Sequence, residues 1–419
     1  FEINSGINTK AVRMCYVAPE EIGFNNELCY KIDSIAQHAI TEKATPGCQV
    51  LIAKEGKVFF NKSYGYHTYD KLRKVENSDV FDLASITKIG ATAPILMQMV
   101  DQGVLSLDDE LGKHLYLDST NKEQLIIRDI LAHQARLSPW IPFYKQTLDK
   151  DLVSGLMQLR DTLYSTVISE EFPYKVADNI YLHHAYPDSI IKQIIDSELL
   201  DKKEYRYSDL GYYLLKKIIE DRCNKGINDV AANEFYKKLG MENLGYLPLN
   251  RIAEDRIIPS ENDFLFRSQV LKGYVHDMGA AMQGGVGGHA GLFSNANDLA
   301  KLMQMYLQNG VYAGERYLSE EVVKEFTKCQ FPENENRRGA GFDKAALADQ
   351  KGGPASENAS PEGFGHTGFT GALVWADPKT QIVYVFLSNR IHPDANNKKL
   401  AGMDIRTNIL EVIYNSLND

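Results

Sequence analysis

Phe81-Asp82-Leu83-Ala84-Ser85-Ile86-Thr87-Lys88 is the stretch on which the fold turns. A short apolar approach, Val80–Ala84, runs into Ile86–Gly103, which is apolar nearly all round. That pattern reads as an extended segment entering a buried helix. Pro94 should kink the helix, because it removes a backbone donor from the interior. Ser85 and Lys88 stand three residues apart and so share a helix face. A serine hydroxyl is a poor nucleophile until a neighbouring base takes its proton. A lysine can be that base when burial and positive surroundings lower its pKa. The helix start also offers backbone N–H groups to a developing oxyanion. The same spacing recurs at Ser119–Lys122 and Ser189–Lys192, so the S-x-x-K pattern alone carries little. Only Ser85 has the strand-to-buried-helix setting. The plain alternative makes Ser85 an N-cap and Lys88 a solvated first-turn residue.

Upstream, Leu28, Ile32, Ile35, Ala36, Ala39 and Ile40 recur at helical spacing within 20–43. Gly47–Lys54 and Lys57–Gly65 read as a hairpin about Glu55-Gly56. The middle of the chain, 105–280, is helical in pattern at Ile126–His133, Asp209–Cys223 and Ile227–Leu239. Within it, 137–206 is irregular and rich in Pro, Trp, Tyr and His, as expected of an ordered excursion bordering a cleft. A helix at 297–308 follows, then a polar stretch, Asn334–Glu362, that reads as a mobile loop. A second hairpin, Phe364–Trp375 and Gln381–Asn389, turns about Ala376-Asp377-Pro378, and Lys398–Leu417 is a terminal helix. Strands at both ends with helices between predict one mixed sheet closed by the two chain ends. The expected division is a lead-in, 1–19; a sheet lobe from 20–105 plus 281–419; and a mostly helical lobe, 106–280, inserted in it, the whole being one catalytic unit.

The 419 residues suffice for a sizeable core, and 44% hydrophobic with 24% charged residues excludes disordered, collagen-like and coiled-coil classes. A net charge of −10 disfavours nucleic acid and anionic membranes as partners. The longest apolar run, Ile89–Val100, is interrupted by Gln98 and falls short of the roughly 20 residues a membrane span needs. Cys15, Cys29, Cys48, Cys223 and Cys329 are scattered, give neither a metal site nor a disulfide framework, and mostly read as small buried hydrophobes. The H-E-x-x-H and G-x-S-x-G patterns are absent, and no metal or cofactor is called for. Gly284–Gly288 lacks a following phosphate-binding Lys-Ser/Thr and reads as backbone crowding near the sheet. His183-His184 reads as an exposed loop pair, and His289 and His392 as packing and turn residues. The chain starts at Phe1, so a targeting segment or a preceding domain would not be visible.

Two further segments carry chemistry. In Tyr205-Arg206-Tyr207-Ser208-Asp209-Leu210-Gly211, Ser208 or Asp209 can cap the next helix, and Tyr207, just outside it, is well placed for its phenol to enter a cleft; the plain alternative is an amphipathic tyrosine at the helix edge. In Gly365-His366-Thr367-Gly368-Phe369-Thr370-Gly371, small residues would let a substrate backbone approach a strand edge, the plain alternative being a Gly-rich strand entry. With Ser85–Lys88, this ordered trio resembles the serine β-lactamase and penicillin-binding protein superfamily, marked by S-x-x-K, Tyr-x-Asn and Lys-Thr-Gly or variants. The branch it looks most like is that of class C β-lactamases, D-aminopeptidases and esterases. Ile130–Leu137 is similar to that branch's LLTHTSGL segment, Gly288–Ser294 to GxAGLFS, and Val104–Asp109 to GxLxLDD.

The resemblance implies a mixed, mainly antiparallel sheet flanked by helices with an all-helical lobe, an α/β (α+β) class, and a cleft between the two. It implies Ser85 as acylated nucleophile, Lys88 as its activator or as the group that tunes its neighbours, and Tyr207 as base in acylation and proton donor to the leaving group. It implies the backbone N–H groups of Ser85 and Phe369 as oxyanion hole, with Asp209, His366, Thr367 and Gly368 lining the substrate. Asp209 replaces the usual Asn and cannot donate an amide hydrogen bond, but it can hold Lys88 charged and so favour the tyrosine as base. His366 replaces lysine and supplies positive charge only if protonated. The expected activity is therefore that of an esterase, D-amino-acid peptidase or weak β-lactamase on a small-molecule or peptide substrate, outside the cytoplasm. The alternative is a weakly catalytic cell-wall-peptide-binding module, as in the β-lactamase-like C-terminal domain that some Bacteroidetes proteins carry behind a family 3 glycosidase.

Overall fold

The computed structural model describes residues 13–150, 157–348 and 352–417. Residues 1–12 of the expected lead-in lie outside the described residues. Seven strands make the main sheet: β1 (Cys15–Tyr16), β2 (Gly47–Lys54), β3 (Lys57–Gly65), β4 (Asp343–Lys344), β5 (Phe364–Thr367), β6 (Leu373–Asp377) and β7 (Ile382–Ser388). Their order is β1-β3-β2-β7-β6-β5-β4, antiparallel throughout except β1 with β3. The two ends of the chain meet where β2 pairs with β7, from Ile382 opposite Lys54 to Ser388 opposite Cys48.

Both faces of this sheet are covered, which is why β7 is an unbroken apolar run. Side chains alternate across a strand. Ile382, Tyr384 and Phe386 therefore pack beneath α1 (Asn26–Thr41) and the terminal helix, with Leu28, Ile32, Ile409 and Ile413. Val383, Val385 and Leu387 face the other way, into the core shared with α4 (Ala296–Leu307). Asn25 starts α1 by accepting from Leu28 N at 3.2 Å, and Asn295 starts α4 by accepting from Asp298 N at 2.9 Å.

The predicted buried helix over Ile86–Gly103 forms with a different geometry. A tight turn, Ala84–Ile86, leads into a widened turn, Lys88–Thr92, before α2 (Ala93–Asp101) begins. Pro94 sits at the start of α2 rather than kinking a helix interior. In the wide turn Ala93 N donates to Lys88 O, which leaves Ile89 O without its helical donor; Pro94 has no N–H for Gly90 O. Tyr306 and Tyr236 fill the gap, their hydroxyls donating at 2.8 Å to Ile89 O and Gly90 O respectively.

Elsewhere the expected elements form with altered bounds. The segment read as one strand over Phe364–Trp375 is two strands, β5 and β6, reversed at Gly371, whose φ is 98°. The terminal helix breaks at Asp404 (φ 51°) into Lys399–Gly402 and α5 (Ile405–Asn415). The inserted region is not all helical. Around α3 (Leu210–Cys223) it contains small antiparallel sheets, Leu148–Lys150 with Met157–Leu159, and Ile180–Leu182 between Tyr164–Ser165 and Tyr174–Ala177. Their alternation, exposed Lys175 beside buried Val176, is too short to register against an aromatic background.

The stretch read as a mobile loop also departs from expectation. Asp343 and Lys344 form the edge strand β4 and are buried, with Lys344 Nζ donating to Thr327 O at 2.9 Å and Gly363 O at 3.1 Å. Gly288 is crowded against α3, where a Cβ would meet Tyr212 O at 2.4 Å, and Gly287 against Ala290 O at 2.8 Å, rather than against the sheet. Of the five cysteines only Cys48 is buried; Cys15 is exposed and the others are intermediate.

Candidate active site

From Val80 to Met97 every residue is buried except Ser85. The turn that presents Ser85 is strained and braced. Ala84 holds a φ of 46°, unusual for a residue with a Cβ. Asp82 stabilises it, with Oδ1 accepting from Ala84 N at 2.8 Å and Oδ2 from His276 N at 2.7 Å. The segment Gly288–Ser294 clamps the same turn: Leu83 N donates to Leu292 O at 2.9 Å, and Thr87 Oγ1 accepts from Leu292 N at 3.1 Å. Neither Asp82 nor His276 was singled out from sequence, and only the fold brings them together.

Lys88 is wholly buried, and its Nζ donates to Ser85 Oγ at 2.9 Å and to Asp209 Oδ1 at 2.6 Å. It lies 4.9 Å from the Tyr207 ring centroid and 5.2 Å from that of Tyr212. Neither other S-x-x-K copy does this. Lys122 Nζ donates to Ser197 O and Asn121 Oδ1, and Lys192 pairs with Asp196. Burial alone would strip the proton from Lys88, but the Asp209 carboxylate foremost outweighs it, and the Lys88 pKa stands above the ordinary value. Burial likewise raises the Tyr207 phenol, against the opposing pull of Lys88. The resting site thus holds a lysine cation, an aspartate counter-charge and a neutral phenol.

His133, in the segment similar to LLTHTSGL, positions the tyrosine. Its Nδ1 accepts from Ser208 N at 3.2 Å, its carbonyl accepts from Arg206 N at 2.7 Å, and its ring lies 4.3 Å from the Tyr207 ring. Burial foremost, then Arg338, Lys88 and His366, holds its imidazole neutral, well below the usual histidine range.

The third motif packs on the first. A Cβ on Gly368 would meet Leu83 O at 2.6 Å, and Thr370 Oγ1 donates to Asp82 O at 2.8 Å. Glycine at 368 is therefore a requirement of close approach. His366 is corrected. Its side chain is 1% exposed, its Nδ1 lies 2.7 Å from Thr367 O, and its Nε2 accepts from Arg338 Nη1 at 3.3 Å. Both nitrogens are taken, which fits one neutral tautomer with the proton on Nδ1. Burial, then Arg338 and Lys88, pushes its pKa down to about 3. His366 is thus neither a cation nor a free donor to the cleft.

The buried cation on this side is Arg338, from the stretch read as a loop. Its guanidinium carbon lies 5.2 Å from the Tyr207 ring centroid, its Nη2 donates to the Tyr205 hydroxyl at 3.2 Å, and Asp343 sits 3.4 Å away. Polar, glycine-rich surroundings hid it from sequence reading. Phe369, by contrast, is 51% exposed. Among the described residues no three His, Cys, Asp or Glu side chains gather as a metal site. His183 and His184 stack on each other in their loop, and His289 packs on Tyr213 while bonded to Asp277 at 2.8 Å.

Against known proteins, the family described as Beta-lactamase matches residues 32–405. A protein of Salmonella paratyphi B named for D-alanyl-D-alanine carboxypeptidase activity is 28% identical over 91% of this chain and 87% of its own length. Among solved structures, a penicillin-binding protein homologue from Caulobacter crescentus aligns with a TM-score of 0.66 at 16% identity, over 94% of this chain and 99% of its own. The hydrolase EstCE1, with promiscuous acyltransferase activity, gives 0.65 at 18%, over 93% and 99%. D-amino acid amidase from Ochrobactrum anthropi SV3 gives 0.63 at 16%, over 93% and 99%. These likenesses bear on the fold.

Proposed function

The chain belongs to the beta-lactamase family, and on that premise we propose that it is a serine hydrolase in which Ser85 is acylated by an ester, amide or β-lactam carbonyl. The observation that carries this is the position of Lys88 Nζ, 2.9 Å from Ser85 Oγ and 2.6 Å from Asp209 Oδ1, behind the one accessible residue of a buried turn. Because the lysine is held charged, it donates to Ser85 Oγ and favours the alkoxide; it does not abstract the proton. Tyr207, flanked by Lys88 and Arg338, is the base in its ionised form, and returns the proton to the leaving group. The N–H groups of Ser85 and Phe369 receive the oxyanion. Thr367, with its neighbour Gly368, meets the substrate along the edge of β5, and His366 supports it from behind. Water then attacks the acyl-enzyme and frees Ser85.

Ser85–Lys88 and His366–Phe369 come from the sheet lobe and Tyr207–Asp209 from the inserted lobe, which supports reading the chain as one catalytic unit. The naming of relatives for D-alanyl-D-alanine carboxypeptidase supports D-amino-acid peptides ahead of antibiotics, and an extracytoplasmic setting with them. No helix among the described residues is long and apolar enough to cross a membrane. A weakly catalytic binding module behind a glycosidase has no observation in its favour. The test is intact-mass measurement after incubation with a fluorophosphonate, a penicillin, a D-Ala-D-Ala peptide and a p-nitrophenyl ester. Adducts should map to Ser85 and vanish in Ser85→Ala. An adduct that survives that substitution rules out the assignment.

A further inference from the structure

We propose that His276 is a positioning residue that braces both oxyanion donors at once, on the reading of Ser85 N–H and Phe369 N–H as the oxyanion hole. His276 belongs to none of the three motifs. It is nevertheless fixed at three points. Its N–H donates to Asp82 Oδ2, its carbonyl accepts from Arg267 Nη2, and its Nδ1 meets Glu261 Oε1, each at 2.7 Å. Arg267 and Glu261 are themselves buried. Burial opposes a charged imidazole here, but Glu261 foremost, then Asp82 and Asp277, outweighs it, and the His276 pKa stands above the ordinary value.

Two arms run from this fixed residue. The first passes through Asp82, whose Oδ1 accepts from Ala84 N at 2.8 Å. That bond supports the φ of 46° at Ala84, the residue whose peptide to Ser85 carries the first donor. The second arm is the imidazole ring, parallel to the Phe369 phenyl at 3° with 5.0 Å between centroids. The Arg390 guanidinium, 4.7 Å from the same centroid, also holds the phenyl. Phe369 lies in a tight turn that Gly371 N closes by donating to Gly368 O at 2.9 Å. Its N–H shares a peptide with that carbonyl and therefore points away from the turn, with a tilt that follows the Phe369 Cα. A half-exposed phenyl with no neighbour would leave that Cα free to shift; the stack pins it. The arms meet again where Thr370 Oγ1 donates to Asp82 O at 2.8 Å. Asp82, His276, Phe369 and Thr370 thus close a circuit, and a displacement of His276 reaches both donors. Misplacement of catalytic groups by a fraction of an ångström is enough to cost activity.

The experiment measures p-nitrophenyl acetate hydrolysis by the full chain, with inhibition by phenylboronic acid, whose tetrahedral adduct on serine places an oxygen in the oxyanion hole. His276→Ala should lower kcat by about 10-fold or more, with KM little changed and the inhibition constant of the boronic acid raised in step. His276→Phe loses the bond to Glu261 but keeps a flat ring against Phe369, and should recover most of the activity whatever its melting temperature. Phe369→Ala, which removes a half-exposed ring and keeps the N–H, should resemble His276→Ala, and the double variant should lose no more than the larger single loss. Cooperative melting checks the fold of each, and Phe369→Ala alone decides the matter if His276→Ala does not fold. An unchanged inhibition constant in Phe369→Ala, losses that multiply in the double variant, or a His276→Phe variant no better than His276→Ala overturns the positioning role. Wild type that a fluorophosphonate labels at Ser85 but phenylboronic acid does not inhibit instead overturns the oxyanion assignment, and absent labelling overturns the nucleophile.

Discussion

Asp209 Oδ1 lies 2.6 Å from Lys88 Nζ and is the charge that keeps a wholly buried lysine protonated. Asp209→Asn removes that charge but leaves the burial. The Lys88 pKa should then fall, making the amine a usable base, and the pH dependence of acylation should move to lower pH. The new amide can also donate to an acylamino substrate, so penicillin acylation should gain relative to ester hydrolysis. Stability should drop by about 2 kcal/mol, less than for a fully buried pair because Asp209 is partly exposed. Stopped-flow acylation against pH is the measurement, and an unmoved profile would contradict the role given to Asp209.

Tyr207 supplies the second pH prediction. Its phenol is raised above the ordinary value, first by burial. A raised acid stays protonated to higher pH, so the base form is scarce at neutrality and grows as pH rises. Log kcat/KM should climb with a slope of about one per unit between pH 7 and 9. Tyr207→Phe should abolish the climb and lower kcat/KM by about 100-fold or more. A flat profile over that range would mean the serine proton leaves by another route, such as Lys88 to Asp209.

His366 gives a stability test. The neutral, buried imidazole has a pKa of about 3 in the fold, against the ordinary 6.5 when unfolded. Below about 6.5 the unfolded chain takes up a proton that the native site refuses. The contribution is therefore fully present above pH 6.5 and is lost as pH falls towards 3, by at most about 1.4 kcal/mol per unit. Urea melts at pH 7.5, 6.5, 5.5 and 4.5 should give His366→Asn a shallower acid decline than wild type. Parallel curves would show that the imidazole titrates freely.

The two hairpins, the buried helix and all three motifs were readable because they lie in short runs with strong patterning: S-x-x-K before an apolar helix, Tyr207 before a capped helix, Gly368 at a strand edge. Arg338, His133, Asp82 and His276 were not marked for function, since each acts through a partner 28 to 194 residues away. The charge state of His366 was equally hidden, because burial and a neighbouring guanidinium decide it, not residue type. The wide turn after Ser85 escaped because helical periodicity over Ile86–Gly103 is nearly the same whether or not one residue is inserted.

Gly368 tests the packing of the third motif on the first. Gly368→Ala would put a Cβ 2.6 Å from Leu83 O, a backbone atom two residues before Ser85. The strand or the turn must shift, costing about 1–3 kcal/mol, and either movement displaces the Phe369 N–H that is proposed for the oxyanion hole. We expect kcat/KM to fall by about 100-fold or more for one lost oxyanion donor, with KM little changed. A fully active variant would place the oxyanion donors elsewhere.

The wide turn at Lys88–Thr92 leads to the last prediction. It exists because Pro94 cannot donate to Gly90 O and Ala93 donates one residue further back, to Lys88 O. Two buried carbonyls are left, and Tyr236 and Tyr306 satisfy them at 2.8 Å each. Tyr306→Phe should therefore cost about 1–3 kcal/mol, the price of an unpaired buried acceptor, with little loss of packing. Tyr236→Phe should cost a similar amount. Because both bonds hold the same turn, the double variant should lose less than the sum of the two. The turn also sets where Lys88 points, so both variants should slow fluorophosphonate labelling of Ser85 even where the protein is fully folded. Additive stabilities with unchanged labelling rates would mean that α2 holds the turn unaided.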